Sequence, residues 1–292
     1  MEIIIAENCG LCYGVKRALN LARKTLEKKK EKVYTLGDLI HNPQVVQDLK
    51  NKGVQPVEDL KSVEKGTIII RSHGISPEAY TFLEKRNIEI VDATCPIVKK
   101  IQKLVERLAR GEQEIILVGN RKHPEIRALI GYSRKKGIII ENETEAMKLP
   151  RRRRRAVLAQ STQDSFLFKK VVAALVDNTE QLQVYNTICL FTQTRQKSTS
   201  ELASKVDTLF IVGGKNSSNT NKLYQISRRI LAKTFFVESA GEISDEMLKG
   251  ARKIGISGGA STPPEAIEEV ISKIKDIFSH QTKRESRVQC QR

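Results

Sequence analysis

The sequence predicts an α/β protein built from three similar units. Two observations predict it. Short β-rich runs alternate with amphipathic helical segments along the chain, the pattern of α/β units with mostly parallel sheets. One ordered set of features also recurs three times at matched spacing: a cysteine ahead of a helix, then two polar turns each delivered by a strand.

Taken in order, strands are expected at EIIIA (2–6), KVYTL (32–36), GTIIIRS (66–72), IEIVDA (88–93), EIILVG (114–119), GIIIE (137–141), AVLAQ (156–160), TLFIVGG (208–214), TFFVE (234–238) and KIGISGG (253–259). Between them, Val15, Ala18, Leu19, Ala22 and Leu26 fall at helical spacing, as do Ile97, Ile101, Leu104, Val105 and Leu108. The tail from Ser279 carries no apolar period and is expected to be disordered over 279–292. The expected domains are 13–95, 96–188 and 189–278, with the N-terminal strand of 1–12 packed centrally.

The repeats set the boundaries. Cysteines precede helices at CYGVKRAL (12–19), CPIVKKI (95–101) and CLFTQTRQ (189–196). A first polar turn follows at GDLIHNPQVVQDL (37–49), GNRKHPEIRALI (119–130) and GGKNSSNTNKLY (213–224). A second follows at RSHGISPEA (71–79), AQSTQDS (159–165) and GGASTPPEA (258–266). Cys12 to Cys95 is 83 residues and Cys95 to Cys189 is 94; His41 to His123 is 82 and His123 to Ser218 is 95. Three such units around a pseudo-threefold axis would bring their turns together at the carboxyl ends of the strands, where open α/β sheets place ligands.

Composition narrows the function. The 292 residues are 29% charged and 39% hydrophobic, which fits a soluble globular chain, and no apolar run reaches the roughly 18 residues of a membrane span. The opening residues read as a strand, so no targeting segment is expected. Five widely spaced cysteines, an odd number, point to a reducing cytoplasm and to metal or catalytic thiols. The net charge of +17 raises nucleic acid as a partner, but it is concentrated in KTLEKKKEK (24–32), RRRRR (151–155) and the tail. It is read as solvated loop charge without aromatic residues interleaved to stack bases.

Cys12, Cys95 and Cys189 each lie at a helix start, where unpaired N–H groups favour thiolate. Three convergent thiolates without a fourth make an incomplete metal site: structural zinc takes four ligands, and so does an ordinary cubane iron–sulfur cluster. With three, one iron stays open to substrate. Three of the four histidines, His41, His73 and His123, sit in the repeated turns. KNSSN (215–219) and Ser261 add hydroxyl and amide donors suited to phosphate. Glu125 in HPEI is the carboxylate placed among these donors and the candidate proton donor.

These residues resemble the 4-hydroxy-3-methylbut-2-enyl diphosphate reductases of the non-mevalonate isoprenoid pathway. The matching motifs are CYGVKRA, HNPQVV, SHG, DATCPIV, HPE, the TRQ turn ending at Gln196, GGKNSSNT and GASTP, spread over residues 1 to 275. The resemblance implies a trefoil of three α/β domains around a [4Fe–4S] cluster held by Cys12, Cys95 and Cys189. It implies diphosphate contacts from His41, His73, His123, Ser217, Ser218, Asn219 and Ser261, and a proton relay through Glu125 with Ser161 and Thr162. Ser161 also counts among the substrate contacts. It stands where the family usually has a first threonine, keeping the hydroxyl and losing a methyl group. The implied partners are an allylic diphosphate and an external electron donor such as ferredoxin or flavodoxin, with no membrane and no nucleic acid. Cys9 is then a bystander to Cys12. The rival readings are a basic zinc protein that binds nucleic acid and a thiol oxidoreductase using Cys9 and Cys12.

Overall fold

The computed structural model describes residues 1–29 and 31–289. The chain runs β1 (Glu2–Ile5), α1 (Tyr13–Lys28), β2 (Val33–Leu36), α2 (Pro43–Asn51), β3 (Val54–Val57), β4 (Thr67–Ile70), α3 (Pro77–Lys85) and β5 (Glu89–Asp92). It continues with α4 (Pro96–Leu108), β6 (Glu114–Val118), α5 (Pro124–Tyr132), β7 (Ile138–Ile140), α6 (Glu143–Met147), β8 (Arg152–Ala159), α7 (Ser165–Val176) and β9 (Thr179–Tyr185). It closes with α8 (Leu190–Ala203), β10 (Thr208–Val212), α9 (Ser218–Arg228), β11 (Thr234–Val237), α10 (Asp245–Leu248), β12 (Lys253–Gly258) and α11 (Pro264–Gln289).

The strands form three four-stranded sheets, ordered β3-β2-β4-β5, β7-β6-β8-β9 and β11-β10-β12-β1, and every pairing is parallel. Each sheet therefore has one topology, with its first and third strands central. Those central strands carry the near-continuous apolar runs that burial on both faces demands; β4 and β10 are buried at every residue. In the third sheet the fourth place is filled by β1, whose Glu2–Ile5 align with Lys253–Ile256 of β12. The N-terminal strand is thus an edge strand of the third sheet.

Two compact units hold these sheets. The larger, residues 12–193, contains the first two; the smaller, residues 1–11 and 194 onward, contains the third. In the larger, Val15, Ala18, Leu19 and Ala22 of α1 and Ile101, Val105 and Leu108 of α4 are buried, as their spacing predicts. In the smaller, α11 buries Ile267, Val270, Ile274 and Ile277 in a core with Phe210, Ile254 and Ile256. No helix among the described residues is long and apolar enough to cross a membrane.

Four expectations differ from the structure. Strands β3 and β9 were not expected, because VQPV contains a proline and TEQLQVY is mostly polar; both are edge strands, which need less apolar character. Lys24–Lys28 belong to the end of α1, not to a loop. Four of the five arginines of 151–155 lie on β8, and Arg155 is fully buried. The tail does not fray at Ser279: α11 continues to Gln289, since Lys, Arg, Glu and Gln propagate a helix already nucleated by its packed first turns and no glycine or proline stops it. Cys290 lies outside the described residues.

Candidate active site

The repeat becomes a placement rule. In each sheet the first strand (β2, β6, β10) leads into the turn bearing His41, His123 or Ser218, and the third (β4, β8, β12) into the turn bearing His73, Ser161 or Ser261. Cys95 and Cys189 follow the fourth strands β5 and β9, and Cys12 follows β1 along the chain. Every turn leaves the carboxyl end of a parallel strand and enters a helix N-terminus, so unpaired N–H groups line it.

In the larger unit these turns are joined residue to residue. Cys12 and Cys95 are the N-caps of α1 and α4, and the Cys189 carbonyl accepts from Gln193 N at 2.9 Å to start α8. Gly14, in the first turn of α1, lies against both Cys95 and Cys12: a Cβ there would stand 2.8 Å from the Cys95 sulfur and 3.9 Å from that of Cys12. Burial pushes the Cys95 thiol up; N–H groups of Ile97 and Val98 pull it down, and Cys12 and Cys189 push it up again. Three thiols at helix N-termini are a set of soft donors of the kind that iron–sulfur centres take. Arg17 of α1 donates to the carbonyls of Thr94 and Asp92 at 3.1 and 3.3 Å, locking α1 onto the turn that carries Cys95.

Glu125 is fully buried, which excludes a solvated first-turn acid. Its Oε1 accepts from Ser161 N and its Oε2 from Ser161 Oγ, both at 2.6 Å. Burial raises its pKa, and the two Ser161 bonds offset part of the rise. Ser161 makes a third bond, to a second partner: its carbonyl accepts from Cys189 N at 2.9 Å. One residue thus bridges the buried acid and a cysteine turn. In the other sheet the Ser72 carbonyl accepts from Cys95 N at 3.0 Å, beside His73. Thr162 is half-buried, and its Oγ1 accepts from Gln160 Nε2 at 2.7 Å.

His123 caps α5, its Nδ1 accepting from Glu125 N at 3.2 Å. In a neutral ring that leaves the proton on Nε2, as a donor. His73 stands 5.0 Å from His123 and 4.8 Å from His41, ring centre to centre, so the three imidazoles form one cluster. All three are held neutral. Burial and then His41 and Arg71 lower His123 to about 3, burial and the neighbouring imidazoles hold His73 well below its ordinary value, and burial followed by Arg71 lowers His41. The local positive charge therefore comes from Arg71, a residue not singled out by sequence. Its only sequence signal is its place at the end of β4, two residues before His73. Gly37, at φ +63°, makes room for it, since a Cβ there would meet Arg71 Nη1 at 2.9 Å.

Four expected residues lie in the smaller unit. Ser217 caps α9, accepting from Thr220 N at 3.3 Å, and Ser218 opens that helix. Asn219 is 3% exposed, and neither its Oδ1 nor its Nδ2 has a hydrogen-bond partner among the described residues. Ser261 is buried in the turn after β12, which Thr262 fastens by donating from Oγ1 to the Val212 carbonyl at 2.7 Å. A buried, unanswered carboxamide at a helix N-terminus is where a polar ligand is expected. Cys9, also here, packs on Gly258, and burial pushes its thiol up to about 11. Cys9, Cys12, Cys95 and Cys189 are all free thiols.

The LytB protein family model matches residues 3–275. The chain is similar to the 4-hydroxy-3-methylbut-2-enyl diphosphate reductase of Caldanaerobacter subterraneus subsp. tengcongensis, 45% identical, with 95% of this chain and 98% of that protein covered. Its identity to the enzyme of the same name from Aquifex aeolicus is 44%, with 96% and 98% covered. A solved structure of (E)-4-hydroxy-3-methyl-but-2-enyl diphosphate reductase, described as the terminal enzyme of the non-mevalonate pathway, superposes with a TM-score of 0.67 at 44% identity, covering 94% of this chain and 100% of that one. The E-1-hydroxy-2-methyl-but-2-enyl-4-diphosphate reductase from Plasmodium falciparum superposes with a TM-score of 0.87 at 26% identity, covering 93% of this chain and 87% of that one.

Proposed function

We infer, from this site in a chain that belongs to the LytB family, that the protein reduces 4-hydroxy-3-methylbut-2-enyl diphosphate to isopentenyl and dimethylallyl diphosphates. The allylic C–O bond breaks, a C–H bond forms, and two electrons and two protons are taken up as water leaves. The observation that carries this reading is Ser161, hydrogen-bonded at once to the buried Glu125 and to the backbone of Cys189. It ties a proton source to a cysteine pole.

Cys12, Cys95 and Cys189 would hold a [4Fe–4S] cluster, and Gly14 fits that role because any side chain there would press on the Cys95 sulfur. When bound, such a cluster stores and passes on electrons and offers one iron without a protein ligand. The chain's own residues do the rest. Glu125, its pKa raised by burial, keeps its proton to higher pH than an exposed carboxylate and delivers it to the departing oxygen. Ser161 Oγ lies on that path, and the Thr162 hydroxyl is the relay's second member. His123 Nε2–H, His73 and His41 donate to the diphosphate, and Arg71 supplies charge. In the smaller unit Ser217, Ser218, Asn219 and Ser261 are phosphate-binding donors. The electrons come from an external carrier of the ferredoxin or flavodoxin kind, and the thiols call for a reducing compartment such as the cytoplasm.

The test is purification without oxygen. A brown protein with iron and acid-labile sulfide that consumes the allylic diphosphate with a reduced dye supports the reading. A colourless zinc protein without turnover would falsify it and favour the basic zinc protein instead.

A further inference from the structure

We propose that the outer face of the cysteine pole is the docking surface for a small acidic electron-carrier protein. This rests on the reductase reading and identifies where the electrons enter. A groove of about 210 Å³ lies between α4 and the turn before α8, lined by Ile97, Lys100, Leu104, Ile188, Leu190 and Cys189 itself. A ligand cysteine is thus reached from outside, by a route other than the Glu125 and histidine turns.

The residues after the cysteines are unusual in what they expose. Ten large hydrophobic side chains are exposed among the described residues, and three of them, Tyr13, Leu190 and Phe191, lie within two residues after Cys12 or Cys189. Leu190 is the most exposed of the ten, at 72%. Pro96, after Cys95, is exposed too. Gly14 lies against the sulfurs of both Cys12 and Cys95, and Cys189 and Leu190 share one groove with Ile97 and Lys100 of the helix that Cys95 caps, so these chain segments meet at one pole of the larger unit. Single exposed apolar residues mean nothing, but apolar groups gathered at the one point where an electron must enter mark a contact.

The rim sets the partner's charge. Lys100, Lys103 and Arg107, at helical spacing on α4, are all exposed. The fourth cation of that helix, Lys99, is held by Asp92 at 2.5 Å, and its one acid, Glu106, pairs with Arg110 at 3.2 Å. An apolar centre with a basic rim fits an acidic carrier. It also fits the small, charge-steered interfaces of redox encounters, which form and part within a turnover. Each reduced carrier gives up one electron and leaves oxidised; two such encounters and two protons complete one dehydroxylation.

The experiment uses the holoenzyme, loaded and assayed without oxygen, with a small acidic ferredoxin as probe. Wild type is first driven by reduced methyl viologen; no turnover there defeats the reductase reading, whereas docking is read separately by calorimetric binding of the ferredoxin. In the Lys100→Glu/Lys103→Glu and Phe191→Ala variants, KM and Kd for ferredoxin should rise about tenfold. Viologen-driven turnover should stay within about twofold, iron content should not change, and added salt should weaken wild-type binding. Equal losses with both donors would make these residues supports of the metal centre and overturn the proposal. Unchanged KM and Kd, or no ferredoxin binding to wild type, would overturn it as well.

Discussion

At the scale of single residues the site turns on Glu125 and the three imidazoles. Glu125→Gln keeps both contacts with Ser161, because the Gln oxygen accepts from Ser161 N and its amide donates to Ser161 Oγ, and it removes the titratable proton. Fold, iron content and substrate affinity should hold, while turnover falls by roughly 10²–10⁴. In wild type the raised pKa keeps the acid protonated above the usual carboxylate range, so turnover declines as pH rises through that value. The variant's pH profile should lack this limb, and turnover within a few fold of wild type would remove Glu125 from the mechanism. The histidines shift the opposite way. Burial keeps them neutral, lowering His123 to about 3, so an unfolded or charge-compensated imidazole binds a proton that the buried cluster by itself refuses. An anion among them raises their pKa values. Inorganic diphosphate should therefore bind with net proton uptake near pH 6, measured by calorimetry in buffers of different ionisation enthalpy; binding without uptake would place the anion elsewhere. The residue types were legible because cysteine, histidine and buried acid are scarce and recur at repeat positions. Arg71 was not, because nothing in a chain of 51 Lys and Arg marks one of them as facing a histidine cluster.

At the scale of elements the arginine run shows how a strand gives identical residues different tasks. Arg151 to Arg154 are exposed, whereas Arg155 is the point at which β8 enters the sheet. Its Nε donates to Glu114 Oε2 at 2.7 Å on β6; Nη1 donates to the Asn178 carbonyl at 3.0 Å and Thr179 Oγ1 at 3.0 Å, and Nη2 to the Pro150 carbonyl. The guanidinium fastens β8 to both neighbours and to the loop before it. Arg155→Ala leaves Glu114 and several carbonyls unanswered and should cost about 3–5 kcal/mol of stability. Arg153→Ala, at an exposed position, should stay within about 0.5 kcal/mol. Thermal or denaturant unfolding of the two variants measures the difference; equal small losses would return Arg155 to surface charge. Composition could not separate these five, since burial depends on which residue the sheet's edge happens to cross.

At the scale of the whole molecule, the chain's first strand completes its last sheet. Besides its pairing with β12, the N-terminal segment is held by Arg195, which donates to the carbonyls of Asn8 and Gly10 at 2.8 and 2.6 Å. A chain begun at Cys12 should lose amide-exchange protection in β12 and β10, measured by mass spectrometry, while β6 and β8 of the larger unit stay protected. Undiminished protection in β12 would show that β1 is dispensable. The sequence alone determined the α/β class, the threefold recurrence and the identity of the chemically able residues, because buried parallel strands impose long apolar runs and turns at their ends need particular residue types. Only the tertiary structure decided that β1 lies beside β12, that the edge strands β3 and β9 exist, and that Ser161 answers to both Glu125 and Cys189. Those facts depend on pairings between residues far apart in the chain, and local pattern carries no record of distance in space.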